Sequence, residues 1–489
     1  MNRELSEAQA DVSTAADSAP VPPAPAVPLR DVPIPLAYER TSQLLRVLWA
    51  LAWPVLAEQM LHMLVGLNDT YLANHVDQSR QTTAAASAAV GTISYFLWLV
   101  GLLTGAVGTG STAIIARATG ARHRRLANSI CGQSIGAGLL AGVVLGAIMF
   151  VFAEPIARIT GLNGQAREFA HQYLRMLSFS LPFLTTMFVA NACLRGAGDT
   201  LTPAVTFVIV DVVNMAFSWG LTYGMFGLPR WGFSGIAMGT VIAYVAGGVI
   251  QIIVLLRGRG GIRLYLHRLQ PHWHNLKRLL RIGVPSGLEG LLQWGINFAL
   301  VVVINQMDKS NVSAAAHNNA IKIEALSFLT GFAFATAAAT LVGQSLGMRD
   351  PKRAARGAYL AYALGGGLMI LCGLFFMTFG WLPSDLLSDD PAVRELTTRC
   401  LFVAGFSQCG FAAQMIFGGA LRGAGDTMVV MLLNIGSLFF VRLTGALFVG
   451  LWLKMGLVAV WSVLAGELLV RGSLIYGRFL HGGWRKIEV

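Results

Sequence analysis

The chain has 489 residues, of which 55% are apolar and 12% charged, with a mean hydropathy of +0.61, so too few charged side chains are present to coat a soluble fold of this length. The formal net charge of +12 would suit nucleic acid, but the basic residues are spread over alternate loops without forming one patch, so no nucleic-acid partner is expected. Cys131, Cys193, Cys372, Cys400 and Cys409 fall in apolar stretches without paired spacing, which excludes a disulfide framework or zinc site and leaves packing as their role.

Residues 1–40 are polar and then rich in alanine and proline, too poor in apolar surface to fold alone, so a disordered cytoplasmic tail is expected. They lack a basic start followed by a short apolar core, and the first apolar stretch is read as a retained span. A membrane helix needs about 20 mostly apolar residues. Twelve such stretches follow, at 44–74, 84–116, 126–153, 169–193, 201–225, 234–256, 277–306, 313–345, 354–380, 395–420, 428–452 and 457–480. Between the sixth and seventh, Arg257 to Arg281 is a polar link with seven Lys/Arg, read as a hinge. The expected fold is an all-α membrane protein of twelve transmembrane helices in two six-helix bundles. An amino-terminal lobe at 41–256 and a carboxyl-terminal lobe at 277–489 flank a linker at 257–276. Loops on the side of the link hold 21 Lys/Arg and the opposite loops eight, so the positive-inside rule puts both termini in the cytoplasm. A monomeric, multi-pass protein of the cytoplasmic (inner) membrane is expected.

Internal duplication makes the two bundles pseudo-symmetric. Leu194-Arg195-Gly196-Ala197-Gly198-Asp199-Thr200 recurs unchanged as Leu421-Arg422-Gly423-Ala424-Gly425-Asp426-Thr427, an offset of 227 residues. Ala118-Thr119-Gly120-Ala121-Arg122 and Ser345-Leu346-Gly347-Met348-Arg349 fall at the same offset, each closing an apolar stretch and opening a basic loop. A site is then expected near the interface of the halves, as in transporters built from repeats.

An ionisable side chain inside a span is costly and functional by default. In the first span this is Asp69, whose plainer reading is contact with outside solvent; Pro54 removes a backbone hydrogen bond and is the expected hinge. In the fifth span Asp211, Asn214 and Ser218 lie at i, i+3 and i+7 on one face, which suits a hydrated cavity better than a structural interhelical bond. The seventh carries Glu289 and Gln293 just after Pro285, with Glu289 near enough to Arg281 to be partly interfacial. The eighth carries His317, read first as packing, and Lys322 and Glu324, which are placed to neutralise each other; Arg442 in the eleventh has no sequence-local partner. Tyr71, Phe183, Met187, Phe298 and Met415 are candidates to line a cavity, although such residues at helical spacing usually pack. No Walker A loop, GxSxG, HExxH or EF-hand occurs, so an enzyme is not expected, nor any cofactor, and driving energy would come from an ion gradient or be absent.

The paired Arg-Gly-Ala-Gly-Asp-Thr segments, Ala314-Ala315-Ala316-His317, Leu341-Val342-Gly343-Gln344-Ser345-Leu346-Gly347, Trp53-Pro54 and Asp69 together resemble the multidrug and toxic compound extrusion (MATE) transporters over about residues 44–480. The branch looks prokaryotic, and Pro285-Ser286-Gly287-Leu288-Glu289 leans toward the DNA-damage-inducible type. The resemblance implies two bundles in a V that export small organic cations by alternating access in exchange for H⁺ or Na⁺. It also implies a polar site on the first, fourth, fifth and sixth helices. By matching position Asp69 is its carboxylate, Asn214 its amide and Thr240 its hydroxyl. Ser218 stands where many members have a second acid, for which Asp211 is the candidate substitute. Gln293 stands where many cation exporters have Glu, which moves expected coupling to the amino lobe and leaves Glu289, Gln293, His317 and Glu324 as substrate or carboxyl-lobe candidates. Asp69 and Asp211 are expected to share one cavity for a proton or, with Asn214, for Na⁺. Two alternatives remain: a lipid-linked oligosaccharide flippase, which predicts a strongly cationic cavity, and a receptor without ion coupling.

Overall fold

The computed structural model describes residues 41–76, 80–160, 162–270, 272–307 and 310–487, so the expected tail at 1–40 lies outside it. Among the described residues regular structure is helical, apart from one isolated bridge between Arg259 and Ile262. The first bundle contains α1 (Thr41–Ala73), α2 (Arg80–Gly120), α3 (Arg124–Val151), α4 (Gly164–Ser178 and Leu181–Ala197), α5 (Leu201–Tyr223) and α6 (Phe233–Arg257). The second contains α7 (Trp273–Asn305), α8 (Val312–Gly347), α9 (Pro351–Phe379), α10 (Pro391–Gly423), α11 (Thr427–Trp452) and α12 (Leu457–His481). Each is long and apolar enough to span a membrane, α4 as a pair bent by 59°. The bend has a local cause. Pro182 has no N–H for the Ser178 carbonyl, whereas Cys409, 227 residues on, keeps its N–H and α10 runs unbroken. Conversely, α9 and α11 widen into π turns at Tyr362–Gly366, Leu438–Leu443 and Phe448–Trp452.

The repeated segments are helix-ending devices. Gly198 and Gly425 adopt φ of 96° and 90°, left-handed conformations open to glycine. The following aspartates then close the helix, Asp199 N–H on the Leu194 carbonyl and Asp426 N–H on the Leu421 carbonyl, both at 2.9 Å. Arg122 and Arg349 are a second equivalent pair, at φ of 59° and 60°.

The same segments join the lobes. Small residues let α2 and α8 cross at backbone contact: a side chain on Gly120 would strike the Gln344 backbone, and one on Gly347 the Arg117 backbone, a reciprocal pair under the 227-residue offset. Thr340 and Gln344 of α8 donate to the Arg195 and Gly196 carbonyls at 3.0 and 3.3 Å. Leu44, Val47, Leu48 and Leu51 of α1 are buried in one apolar cluster with residues of α8, α9, α10 and α12. These contacts lie on the membrane side that carries the start of α1 and the end of α12, hereafter the terminus side. The link between lobes spans 258–272, and α7 begins at Trp273, four residues before the expected boundary. The link, expected to be a hinge, is fastened to the first bundle in this conformation: Gln133 of α3 donates to the Arg268 and Gln270 carbonyls at 2.9 and 2.5 Å and accepts from His272 N–H.

α1 continues through Pro54 as one helix. The proline leaves the Ala50 carbonyl without its helical donor, and Thr200 of the first heptapeptide supplies one at 3.3 Å. The expected hinge is thus braced in this conformation.

Candidate functional site

Asp69 is 4% exposed and sits where α1, α4, α5 and α6 meet. One carboxylate oxygen accepts from the Thr240 hydroxyl at 2.7 Å and the Tyr173 hydroxyl at 2.8 Å; the other accepts from the Asn214 amide at 3.5 Å. The Asn214 amide also reaches Thr240 at 3.1 Å and Ser218 at 3.4 Å. Asn68 extends the chain outward, donating to Asn214 at 2.8 Å and accepting from the Trp219 indole at 2.9 Å. The structure therefore brings Asp69, Asn214, Thr240 and Ser218 together and adds Tyr173 and Asn68. Every donor is neutral. Among the described residues no base pairs with Asp69, and a buried charge without a counter-ion is costly, so a proton or a small cation would complete the arrangement.

Asp211 departs from the expected shared cluster. It is 6% exposed, and neither carboxylate oxygen has a hydrogen-bond partner. Three residues before Asn214 on a 100°-per-residue helix, it projects beside the Asp69 cluster without joining it. Tyr244 of α6, 2% exposed, lies within electrostatic reach of both acids.

A second polar node lies deeper along α1. Glu58, His62 and Asp69 share one face at i, i+4 and i+11. Glu58 is 1% exposed and ion-paired to Arg195 at 3.3 Å. Asn191 donates to it at 3.3 Å, and Gln251 donates to Asn191 at 2.6 Å and to Thr206 at 3.1 Å. Sequence reading passes over Glu58, although a signal exists: Pro54 and Glu58 have the same spacing as Pro285 and Glu289.

The family model described as MatE matches residues 54–219 and 285–448, one match per bundle, each beginning at the proline of its first helix. This chain belongs to the MATE family. Among its relatives, the probable multidrug resistance protein NorM of Thermotoga maritima is 28% identical over 458 residues, covering 93% of this chain and 96% of that protein. The uncharacterized transporter YisQ of Bacillus subtilis is 25% identical over 89% of this chain and 94% of its own. Among solved structures, a MATE protein in the bent conformation superposes with a TM-score of 0.82 at 22% identity, covering 91% of this chain and 98% of its own. An outward-facing multidrug resistance MATE transporter gives a TM-score of 0.81 at 22% identity over 91% and 98%. These superpositions share the two-bundle fold.

In the carboxyl lobe of this MATE protein two buried acids, Glu289 and Glu467, are ion-paired and Glu324 is not. Glu289, expected to be partly interfacial, is 4% exposed and held by Arg422 and the Asn434 amide, both at 2.5 Å. Arg442 finds its partner 25 residues on: Glu467 of α12, at 2.8 Å, which also pairs with Arg471 at 3.0 Å and accepts from Ser437 at 2.8 Å. Arg471, expected among the loop cations, is 2% exposed inside α12. Glu324 accepts from Gln408 at 3.3 Å, and among the described residues it forms no ion pair with exposed Lys322, contrary to expectation. Both are on α8, but a separation of two residues turns their side chains apart. Among the described residues His317 packs edge-on to Trp461 with both ring nitrogens unpartnered, and Gln293 is half-buried.

The cavity-lining expectation is corrected for two methionines. Met187 is fully buried, filling the gap over Gly247, and Met415 is buried over Gly331. Tyr71 and Phe298 are exposed, stacked on Trp219 and Trp294 respectively, and Phe183 backs Gly248. Cys409 is exposed and so is not a packing cysteine. Among the described residues no three His, Cys, Asp or Glu side chains cluster as a metal site.

Proposed function

We propose that this MATE protein is an antiporter that exports small organic cations from the cell in exchange for H⁺ or Na⁺, with coupling in the amino lobe. The observation that carries the reading is Asp69, buried among Tyr173, Thr240 and Asn214 with neutral donors only. A proton would neutralise it; Na⁺ would be met by the same carboxylate and neighbouring hydroxyl and amide oxygens. Asp211, with no hydrogen-bond partner among the described residues, is the second station of the same reading. An entering ion shifts the two arrangements of the lobes only by its unequal affinity for them. In this reading the protein acts as a monomer in the cytoplasmic membrane with both termini inside, which the excess of Lys/Arg in the terminus-side loops supports.

The relatives named multidrug resistance proteins favour drug-like cations as the substrate class. A flippase for a pyrophosphate-linked sugar would need uncompensated buried bases. Here Arg195 pairs with Glu58 and Arg422 with Glu289, and Arg442 and Arg471 share Glu467, so one buried arginine charge is in excess, against two carboxylates, Asp69 and Asp211, that among the described residues meet no base. Proteoliposomes loaded with a fluorescent cation test the proposal, with a pH gradient and a Na⁺ gradient imposed separately. One gradient should drive export and Asp69→Asn should abolish it; unchanged coupled export in both Asp69→Asn and Asp211→Asn would remove these acids from the mechanism.

A further inference from the structure

An open pocket of about 530 Å³ lies on the terminus side, lined by Pro351, Lys352, Ala355, Arg356, Tyr359, Leu360 and Arg485. Three cations line it and no acid does. Lys352, Arg356 and Tyr359 lie at i, i+4 and i+7, one exposed stripe of α9 whose opposite face buries Ala354, Ala358 and Ala361. Along about 10 Å of helix axis the stripe passes from two cations to an aromatic ring and then to Leu360. That order follows a lipid from phosphate through the interface to the acyl chains. Below it, Tyr359 stands edge-on to Phe479 at 5.5 Å, and exposed Tyr476 and Leu480 of α12 continue the apolar wall.

Arg485 comes from the segment after α12. That segment is anchored by Trp484, fully buried, stacked on Phe479 at 4.9 Å and donating its indole N–H to the Phe479 carbonyl at 2.8 Å. The Arg485 guanidinium lies 5.4 Å from the Trp484 ring, held facing α9. The pocket is also wired to the amino lobe: Arg356 bonds the Thr41 hydroxyl at the start of α1, and Arg117 of α2 bonds the Ile487 carbonyl.

We infer that this pocket binds the phosphate headgroup of an anionic phospholipid from the terminus-side leaflet, and that the bound lipid clamps the carboxyl-terminal segment, α9 and α1 in the closed arrangement of that side. Such a site is independent of which ion or substrate is carried. It is tested on the full chain in neutral detergent by native mass spectrometry and thermal unfolding, with phosphatidylglycerol, phosphatidylcholine of the same acyl chains, or inorganic phosphate. Phosphatidylglycerol should add one saturable bound lipid and raise the unfolding midpoint, and the other two should not. Each cation near the surface is worth about 1 kcal/mol of attraction, so the exposed double variant Lys352→Glu/Arg356→Glu should weaken this binding about thirtyfold or more. The same charge reversal at exposed Arg124 and Arg125, on the same side outside the pocket, should leave it within about threefold. Equal weakening by both pairs, or none by the first, would overturn the site. Equal stabilisation by inorganic phosphate would overturn the lipid as its occupant.

Discussion

Arg195 holds Glu58 at 3.3 Å, and its repeat partner Arg422 holds Glu289 at 2.5 Å. In each lobe the arginine that ends one helix therefore fastens the glutamate one turn beyond the proline of the lobe's first helix. Removing one partner of a buried pair strands the other charge at a cost of about 3 kcal/mol, whereas replacing both is often close to neutral. Arg195→Met should accordingly lower the thermal unfolding midpoint in detergent, and Arg195→Met/Glu58→Gln should recover more than half of the loss. A single variant as stable as the parent would show that the pair contributes no stability.

The heptapeptide repeat is legible in the sequence because three of its residues answer separate local demands in both copies. Arg reaches the glutamate, the second Gly takes positive φ, and Asp closes the helix. Asp69, Asn214 and Ser218 are legible as polar residues in apolar helices. Tyr173 and Tyr244 are not, because no local pattern says that residues 104 and 175 positions from Asp69 come into one chamber; Glu58 is a different case, since it stands four residues after Pro54 as Glu289 does after Pro285. Asp211 stays out of the Asp69 hydrogen-bond cluster for an angular reason: residues three apart on a helix differ by about 60° in direction, enough to put Asn214 in the cluster and Asp211 beside it, with Tyr244 within reach of both acids. Arg442 and Glu467 are on different helices, so spacing alone does not join them.

The Thr200 hydroxyl supplies the hydrogen bond that Pro54 denies to the Ala50 carbonyl. Thr200→Val keeps the shape and removes the donor, which should destabilise the closed terminus side by about 1–2 kcal/mol. Thr200→Ser should restore it. Thermal unfolding of the three proteins decides, and a Val variant indistinguishable from the parent would make the bond incidental.

Tyr173 and Thr240 both donate to one oxygen of Asp69. If they only orient the carboxylate, Tyr173→Phe leaves coupled export intact in kind and weakens ion binding, with an initial rate reduced roughly tenfold at a shallow gradient for about 1.4 kcal/mol lost. A steeper gradient should then recover most of the rate. Asp69→Asn should not be recovered at any gradient. Export by Tyr173→Phe that stays absent under the steepest gradient would assign the tyrosine a direct part in ion transfer.

Gly120 and Gly347 allow the two lobes to touch backbone to backbone where α2 crosses α8. Packed interiors do not yield smoothly to an added methyl. Gly120→Ala should therefore prise the terminus side apart while each bundle remains folded, since the added methyl wedges between the bundles and not within either. Ala116, fully buried one turn earlier and packed against Gly343 of α8, reports on this seam. With Cys372 and Cys409 replaced by serine, Ala116→Cys should react slowly with an impermeant maleimide applied from the terminus side. Adding Gly120→Ala should accelerate labelling at least tenfold, and Gly347→Ala should do the same, because the two glycines occupy equivalent places. Faster labelling from only one of them would mean that the lobes do not separate about the symmetric seam. No acceleration from either would mean that closure rests elsewhere, on the burial of Leu44, Val47, Leu48 and Leu51 in the carboxyl lobe.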